Sequence, residues 1–404
     1  MTQATGFRLS RLQVYALLFI LLGLLLLAVA QLRIEPEQVS TLGFEKLGRR
    51  KVPTQLTVTA LGTLCAALGV ATYALKTRGG VLLLLALSAA MLGLLTALAQ
   101  GASIDLVGML ASSLRMSTPI ALGALAGILC ERAGIVNIAI EGMMLAAAAF
   151  GFGASLFFEN LWVGVLAAMV VGGLMAALHA VMSIRFKTDQ IISGTAINIL
   201  AVGASGFLRR AYLVQAYFVG KTLTSIKIPL LSEVPVLGTI FFRNQPIVYL
   251  MLILLAALHI VLFYTPWGLR TRAVGEHPLA ADTVGVNVFR MRYINVIAAG
   301  CIAGLAGAWF SLETVGSFED LMTAGKGYIA LAAMIFGNWN PIGAFLGALL
   351  FGFADALQIK LQILNVPLPY QFLGMAPYIA TMIVLGGVIG RTTPPAAEGI
   401  PYEK

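Results

Sequence analysis

The sequence predicts an all-α fold, a polytopic membrane protein of about 10–11 transmembrane helices, and three observations carry that prediction. First, 59% of the 404 residues are hydrophobic and only 11% are charged, against roughly 25% charged in an ordinary soluble domain. Second, apolar runs such as 17–30, 81–99 and 247–264 approach or reach the ~20 residues that a helix needs to cross a bilayer core. Third, the short alternating segments that would mark membrane β-strands are missing, which excludes a β-barrel.

Taken in order, residues 12–30 form an apolar run preceded by Arg8 and Arg11. The run is too long for a signal peptide's core and ends at Gln31-Leu32-Arg33, a poor cleavage site, so it reads as a retained anchor helix. A polar loop over 31–53 leads into spans at 54–75 and 81–99, joined by a tight turn at 76–80. Residues 104–115 alternate apolar and polar positions at helical spacing over too short a length to span, which predicts a helix lying along the interface.

The region 116–158 is two apolar helices interrupted by Glu131, Arg132, Asn137 and Glu141. Charge at membrane depth costs a few kcal/mol per residue. Glu131, Arg132 and Gly134 therefore read as a turn at the membrane surface, while Asn137 and Glu141, four apart, would share a helical face toward a cavity or another helix. Spans at 161–184 and 191–208 follow, the second carrying Asn198. Gln190 and Asn198, eight apart, again fall near one face. The connection 209–245 is long and polar and is a candidate external loop. Its Gly220-Lys221-Thr222 imitates the end of a phosphate loop, but Gln215 stands where the earlier glycine belongs and no strand precedes it, so a P-loop is excluded.

Residues 265–292, TPWGLRTRAVGEHPLAADTVGVNVFRMR, are a charged interval of helical potential between two apolar runs. Pro278 can open a short helix there, and Ala280, Ala281 and Gly285 keep part of it small enough for close approach by a partner. By spacing alone a basic cytoplasmic loop and a docking helix are both open. Beyond it, 293–315 carries Gly300, Gly304 and Gly307 in rows suited to close helix packing. The segment 325–337 is short and ends at the turn signal Asn338-Trp339-Asn340-Pro341, as a re-entrant element or a short buried helix would. Spans at 342–356 and 372–389 precede a polar tail over 391–404.

With 265–292 cytoplasmic and both halves of 116–158 spanning, the 26 Lys and Arg divide evenly between the two sides. The positive-inside bias thus leaves the direction of the first three helices open. The net charge of +9 lies mostly at the flanks of apolar runs, where it meets lipid headgroups, so no nucleic-acid partner is implied. Cys65, Cys130 and Cys301 are isolated in apolar segments and show no pairing or metal-ligand spacing.

Four ordered stretches, ERAGIVNIAIEGMML (131–145), GLRTRAVGEHPLAADTVGVN (268–287), AGCIAGLAGAW (299–309) and GKGYIALAAMIFGNWNPIGAFLGALLFG (325–352), resemble ABC importer permeases of the branched-chain amino acid, ribose and nucleoside superfamily. The resemblance is greatest to the nucleoside, or simple-sugar, branch linked to basic membrane lipoproteins, and covers roughly residues 105–390. It implies a transmembrane permease domain over 104–390, after N-terminal helices over 1–103 that find no counterpart in the family.

It further implies that 268–287 docks into an ATPase subunit through Gly268, Arg270, Arg272, Gly275, Glu276, Pro278, Ala280, Ala281 and Gly285. Gly134, Asn137, Glu141 and Gly142 would belong to a broken-helix motif beside the translocation path. His277 replaces a common Asn and Met143 a frequent Gln, the latter removing one polar group from that path. Asn137, Glu141, Gln190 and Asn198 are then the candidate path residues for a nucleoside or sugar.

The expected partners are an ABC ATPase, a second permease in a heterodimer, an external solute-binding lipoprotein and the bilayer of a prokaryotic inner membrane. No cofactor or metal is expected, and the chain itself is expected to be no enzyme. The alternatives are an ion-coupled secondary transporter, for which only Glu141 and Asp355 would serve as a relay, a branched-chain amino acid permease, and an intramembrane enzyme. The last finds no metal motif or nucleophile elbow among widely separated His179, His259 and His277.

Overall fold

The computed structural model describes residues 11–43, 48–75, 79–99, 103–213, 221–363, 374–375 and 392–403. Its helices in chain order are α1 (Arg11–Leu32), α2 (Thr54–Leu75), α3 (Gly79–Ala99), α4 (Leu106–Glu131), α5 (Ile140–Phe157), α6 (Leu161–Ala180) and α7 (Gln190–Leu208). They continue with α8 (Leu237–Phe241), α9 (Pro246–Tyr264), α10 (Pro266–Glu276), α11 (Pro278–Thr283), α12 (Val288–Ala308), α13 (Lys326–Phe336) and α14 (Pro341–Ile363). Among the described residues, 9 helices are long and apolar enough to cross a membrane, and the fold is all-α and polytopic. The span expected over 372–389 lies, apart from residues 374–375, outside the described residues.

The chain divides into two compact units, one of residues 1–110, 234–239 and 357–390, the other of 111–233, 240–356 and 391–404. In the first, α1, α2 and α3 pack closely. The Gly23 Cα faces the backbone of Gly62 and Ala66 with no room for a side chain, and Phe19, Cys65, Ala86, Ala89 and Ala90 form a buried cluster. A small sheet joins β1 (Val39–Gly43) antiparallel to β2 (Arg49–Pro53) and parallel to β3 (Ser103–Asp105).

The second unit is built around α5, α6 and α12. Gly172 of α6 meets Gly300 and Gly304 of α12 backbone to backbone, and Gly307 lies on the Met144 carbonyl of α5. The small-residue rows thus set the helix spacing, as van der Waals packing in lipid requires. Side-chain caps fix where the helices begin: Asn160 Oδ1 accepts from Trp162 N at 2.9 Å, Asp189 Oδ1 from Ile191 N at 2.8 Å, Asn287 Oδ1 from Arg290 N at 2.9 Å and Asn340 Oδ1 from Ile342 N at 2.9 Å. Each satisfies a first-turn N–H that has no partner within its helix. Among the described residues of the 209–245 connection only short elements form, including the two-residue pair of β4 (Ile226–Lys227) and β5 (Arg243–Asn244).

The interfacial helix expected over 104–115 does not exist as a separate element, because residues 104–105 end β3 and 106–115 open the 26-residue α4. Arg115, one of the polar groups that suggested an interface, has partners within the protein, and the next polar residues along α4 are satisfied too. Arg115 donates from Nε to Asn244 Oδ1 and from Nη2 to the Arg243 carbonyl, both at 3.1 Å, and the Ser117 and Thr118 hydroxyls return to the Leu114 carbonyl.

Candidate functional site

Between α4 and α5, residues 132–139 leave helical geometry. Gly134 turns the chain at φ 85°, a conformation that costs glycine least. Asn137 therefore lies outside any helix, and the shared Asn137–Glu141 face expected from four-residue spacing does not form. Asn137 is fully buried, and its Oδ1 accepts from Ala139 N at 3.1 Å, a local turn that mimics the backbone.

The other three candidate path residues also hold this broken stretch or its neighbours. Gln190 Oε1 accepts from Val136 N at 2.7 Å. Asn198 Oδ1 accepts from Gly142 N at 2.8 Å, while its Nδ2 donates to the Ile138 carbonyl at 3.1 Å and Tyr328 Oη at 3.0 Å. Glu141 reaches the start of α13: Oε1 accepts from the Thr323 hydroxyl at 2.6 Å and Gly325 N at 2.9 Å, and Oε2 from Gly327 N at 2.6 Å. A carboxylate at a helix N-terminus satisfies free N–H groups and complements the helix dipole. Beside it, Lys326 pairs with Asp355. The four residues thus converge on the broken helix and on the start of α13, each accepting from at least one backbone N–H there.

Three polar residues that the sequence offered only as a surface turn, Glu131 and Arg132, or as an isolated histidine, His179, also bond around the break. Buried His179 contacts Ser193 Oγ at 3.1 Å and the Val136 carbonyl at 2.9 Å. Glu131, 4% exposed, accepts from Trp339 Nε1 at 2.6 Å. Arg132 donates from Nε to the Trp339 carbonyl at 3.2 Å and lies 3.9 Å from Glu276. Burial lowers the Arg132 pKa, Glu276 opposes that shift and Arg272 adds to it. Among the described residues no group of three His, Cys, Asp or Glu side chains is placed to hold a metal.

Residues 265–292 form two short helices and a turn. Thr265 caps α10 with Pro266 in its first turn, and His277 caps α11, its Nδ1 accepting from Ala280 N at 3.4 Å ahead of Pro278. The histidine itself therefore caps α11. Gly285, at φ 85°, ends α11, with Val286 N donating to the Ala281 carbonyl at 3.0 Å, which is the Schellman pattern. Trp267 donates to Asn295 Oδ1 at 3.2 Å and Asn295 to Thr271 Oγ1 at 3.1 Å, tying α10 to α12.

The structure sorts the predicted coupling residues into two sets. Gly268, Gly275 and Ala281 face inward. A side chain at Gly268 would strike the Val261 and Leu262 carbonyls, and one at Gly275 the Arg132 carbonyl. Ala281 is 3% exposed, packed with Val274, Val288, Met291 and Tyr402. Its small size is used within the chain and is not offered to a partner. Arg270, Glu276, Ala280 and Gly285 are exposed, Pro278 is half-buried, and the Arg272 guanidinium lies 5.1 Å from the centre of the Phe263 ring. The outward face also carries Leu279 at 57% and Val284 at 78% exposure, two residues the motif did not single out. A hollow of about 270 Å³ beside them is lined by Asp282 and residues 285–289.

Residues 109–389 match the family described as branched-chain amino acid transport system / permease component. The chain is similar to the guanosine ABC transporter permease protein NupQ of Bacillus subtilis, 42% identical over 72% of this chain and 95% of that one. It is also similar to the nucleoside ABC transporter permease protein NupC of Lactococcus lactis, 39% identical over 73% and 96%. A third relative is the putative glucose ABC transporter permease protein TsgC13 of Haloferax volcanii, 35% identical over 70% and 92%. No solved structure matches.

Proposed function

The chain belongs to the branched-chain amino acid transport system permease family, and on that premise we propose that it is the membrane-spanning subunit of an ATP-driven nucleoside importer. The observation that supports the substrate class is the 42% and 39% identity to a guanosine and a nucleoside permease over nearly their whole lengths. A simple sugar is the second reading, supported by the 35% identity to a glucose permease.

In this reading the chain performs no covalent chemistry. An external lipoprotein delivers the solute in a prokaryotic inner membrane, and a separate ATPase engages the outward face of α10 and α11. A second, different permease completes the path. Leu279, Ala280, Val284 and Gly285 supply the apolar contact and Arg270 and Glu276 the charged rim, the anatomy expected of a docking surface. Closure of the ATPase then shifts this face between two arrangements with different contacts, which is what coupling requires. The close approach of Gly275 to the Arg132 carbonyl puts the loop directly against the broken helix, so displacement of one is felt by the other. Asn137, Glu141, Gln190 and Asn198 shape the path by holding that stretch.

An ion-coupled carrier is less supported. Glu141 has its oxygens occupied by donors from Thr323, Gly325 and Gly327 and Asp355 is paired with Lys326, so neither is poised as a relay. The test is uptake of labelled guanosine into vesicles carrying the chain with its ATPase, second permease and lipoprotein. Uptake should require ATP and survive collapse of ion gradients. Uptake that persists without the ATPase and disappears with the gradient overturns the proposal, and ATP-driven uptake of glucose but not guanosine overturns the substrate class.

A further inference from the structure

The polar tail over 391–404 is, in its described residues 392–403, built against 265–292. Ala397 N donates to the Gly275 carbonyl at 2.9 Å, and Gly399 N to the Gly134 carbonyl at 3.3 Å. Ala396 N donates to Glu276 Oε2 at 3.2 Å. Arg292, 1% exposed, donates from Nε to the Ala133 carbonyl and from Nη1 to the Ile400 carbonyl, each at 3.2 Å. The Tyr402 ring is buried against Val274, Ala281, Val288 and Met291 and meets Phe289 edge-on at 5.2 Å. Lys187, beyond α6, pairs with Glu403 at 2.7 Å.

Within a few residues, then, the tail bonds the end of α10, lies under α11 and the start of α12, and bonds the broken stretch 133–134. We infer that residues 396–402 are a positioning strap that makes the docking loop and the broken helix move as one body. This rests on the proposed reading of 265–292 as the ATPase-docking surface.

The physical argument concerns where a displacement goes. If α10 and α11 touched the rest of the protein only through a loose contact, a push on Leu279 or Val284 would be absorbed there. The strap closes that route. The Gly275 carbonyl and the Gly134 carbonyl are held by amides two residues apart on one short segment, and Arg292 bonds that segment and residue 133 with the same guanidinium. Tyr402 fills the space behind Ala281, so α11 cannot sink inward without expelling it from a close-packed cluster. Contacts of this kind, packed and hydrogen-bonded without a gap, carry energetic coupling between sites.

Tyr402 separates this from simple packing, because its ring can be removed without touching the backbone hydrogen bonds. The experiment uses the full transporter in proteoliposomes, measuring labelled guanosine imported per ATP hydrolysed, for wild type, Tyr402→Ala and Tyr402→Phe. Tyr402→Ala should co-purify with the ATPase at wild-type yield and hydrolyse ATP, yet import about tenfold less per ATP. Tyr402→Phe, which keeps the ring, should import normally. A Tyr402→Ala protein with an unchanged ratio overturns the strap, as does one that loses the ATPase altogether, since the tail would then set docking and not transmission.

A second measurement is independent of any ATPase. Hydrogen exchange on the permease alone should show Tyr402→Ala raising exchange at 396–400, 273–276 and 131–136 together. A rise confined to the tail overturns the inference even if the docking assignment stands. Conversely, failure of wild-type permease to bind any ATPase with this joint exchange intact removes the docking reading and leaves the mechanical link.

Discussion

Replacing Glu141 distinguishes an anchor from a path-lining acid. In the structure its Oε1 accepts from the Thr323 hydroxyl and Gly325 N, and its Oε2 from Gly327 N at 2.6 Å. Glu141→Gln can keep the oxygen at the first position and two of the three bonds. The amide nitrogen then faces the Gly327 N–H, donor against donor, which costs about 1–3 kcal/mol. Glu141→Ala removes all three charge-assisted bonds and the anion at the start of α13. At roughly 1.5–3 kcal/mol each, reduced by water reaching a partly open site, the loss is about 4 kcal/mol. Thermal unfolding of the purified permease in detergent measures both.

Uptake should fall in step with that loss of order, Gln mildly and Ala severely, with the pH profile of Glu141→Gln uptake like wild type. A Glu141→Gln protein with wild-type unfolding temperature and no uptake would refute the anchoring argument, because only direct contact with the moving solute or a proton would then explain the defect.

Asn198→Ala unpairs the Gly142 N–H and the Ile138 carbonyl and should destabilise by about 2–4 kcal/mol, read as a lower unfolding temperature with uptake lost in proportion. On the docking face, Leu279→Arg or Val284→Asp should leave unfolding within about 0.5 kcal/mol of wild type while ATPase co-purification and uptake are lost; retained co-purification argues against that face. Ala281→Trp should instead unfold the region by overpacking, about 1–3 kcal/mol or more, and so fails before docking is tested. Finally, burial raises the Glu398 carboxyl above its ordinary 4.5, with a hydrogen bond to Glu131 working in the opposite direction. Its proton is held in the docked tail but lost from a free one, so docking weakens as pH climbs from 4.5 through the raised value. Proteolysis of the tail should rise with pH over that window, and Glu398→Gln should flatten the response.

How much of the site was legible in sequence varies with how local its cause is. Pro278 signals the start of α11 because a first-turn proline acts within a few residues, whereas Gly285 reads in sequence only as a small residue and its left-handed turn closing α11 belongs to the structure. Gly300, Gly304 and Gly307 signalled close helix packing by their local spacing. The break after Glu131 was visible as charge interrupting an apolar run. Its conformation was not, because Asn137 and Glu141 share a face only if the helix continues, and Gly134 ends it. The interfacial helix over 104–115 failed for a related cause: Arg115 looks exposed until Asn244 and the Arg243 carbonyl are placed beside it.

What the sequence determined on its own is the class: an apolar, sparsely charged chain must satisfy its backbone inside lipid, and only helices do so one segment at a time. Ordered motifs added the family. Tertiary structure alone decided which side of each motif residue is used. Ala280 and Ala281 are neighbours of one chemical type, yet one is exposed and the other is 3% exposed against Tyr402. Part of that difference comes from Tyr402, more than a hundred residues away, at which no local pattern in 265–292 or in the tail could hint, since contacts such as the Ala397 to Gly275 hydrogen bond leave no mark on either segment's composition.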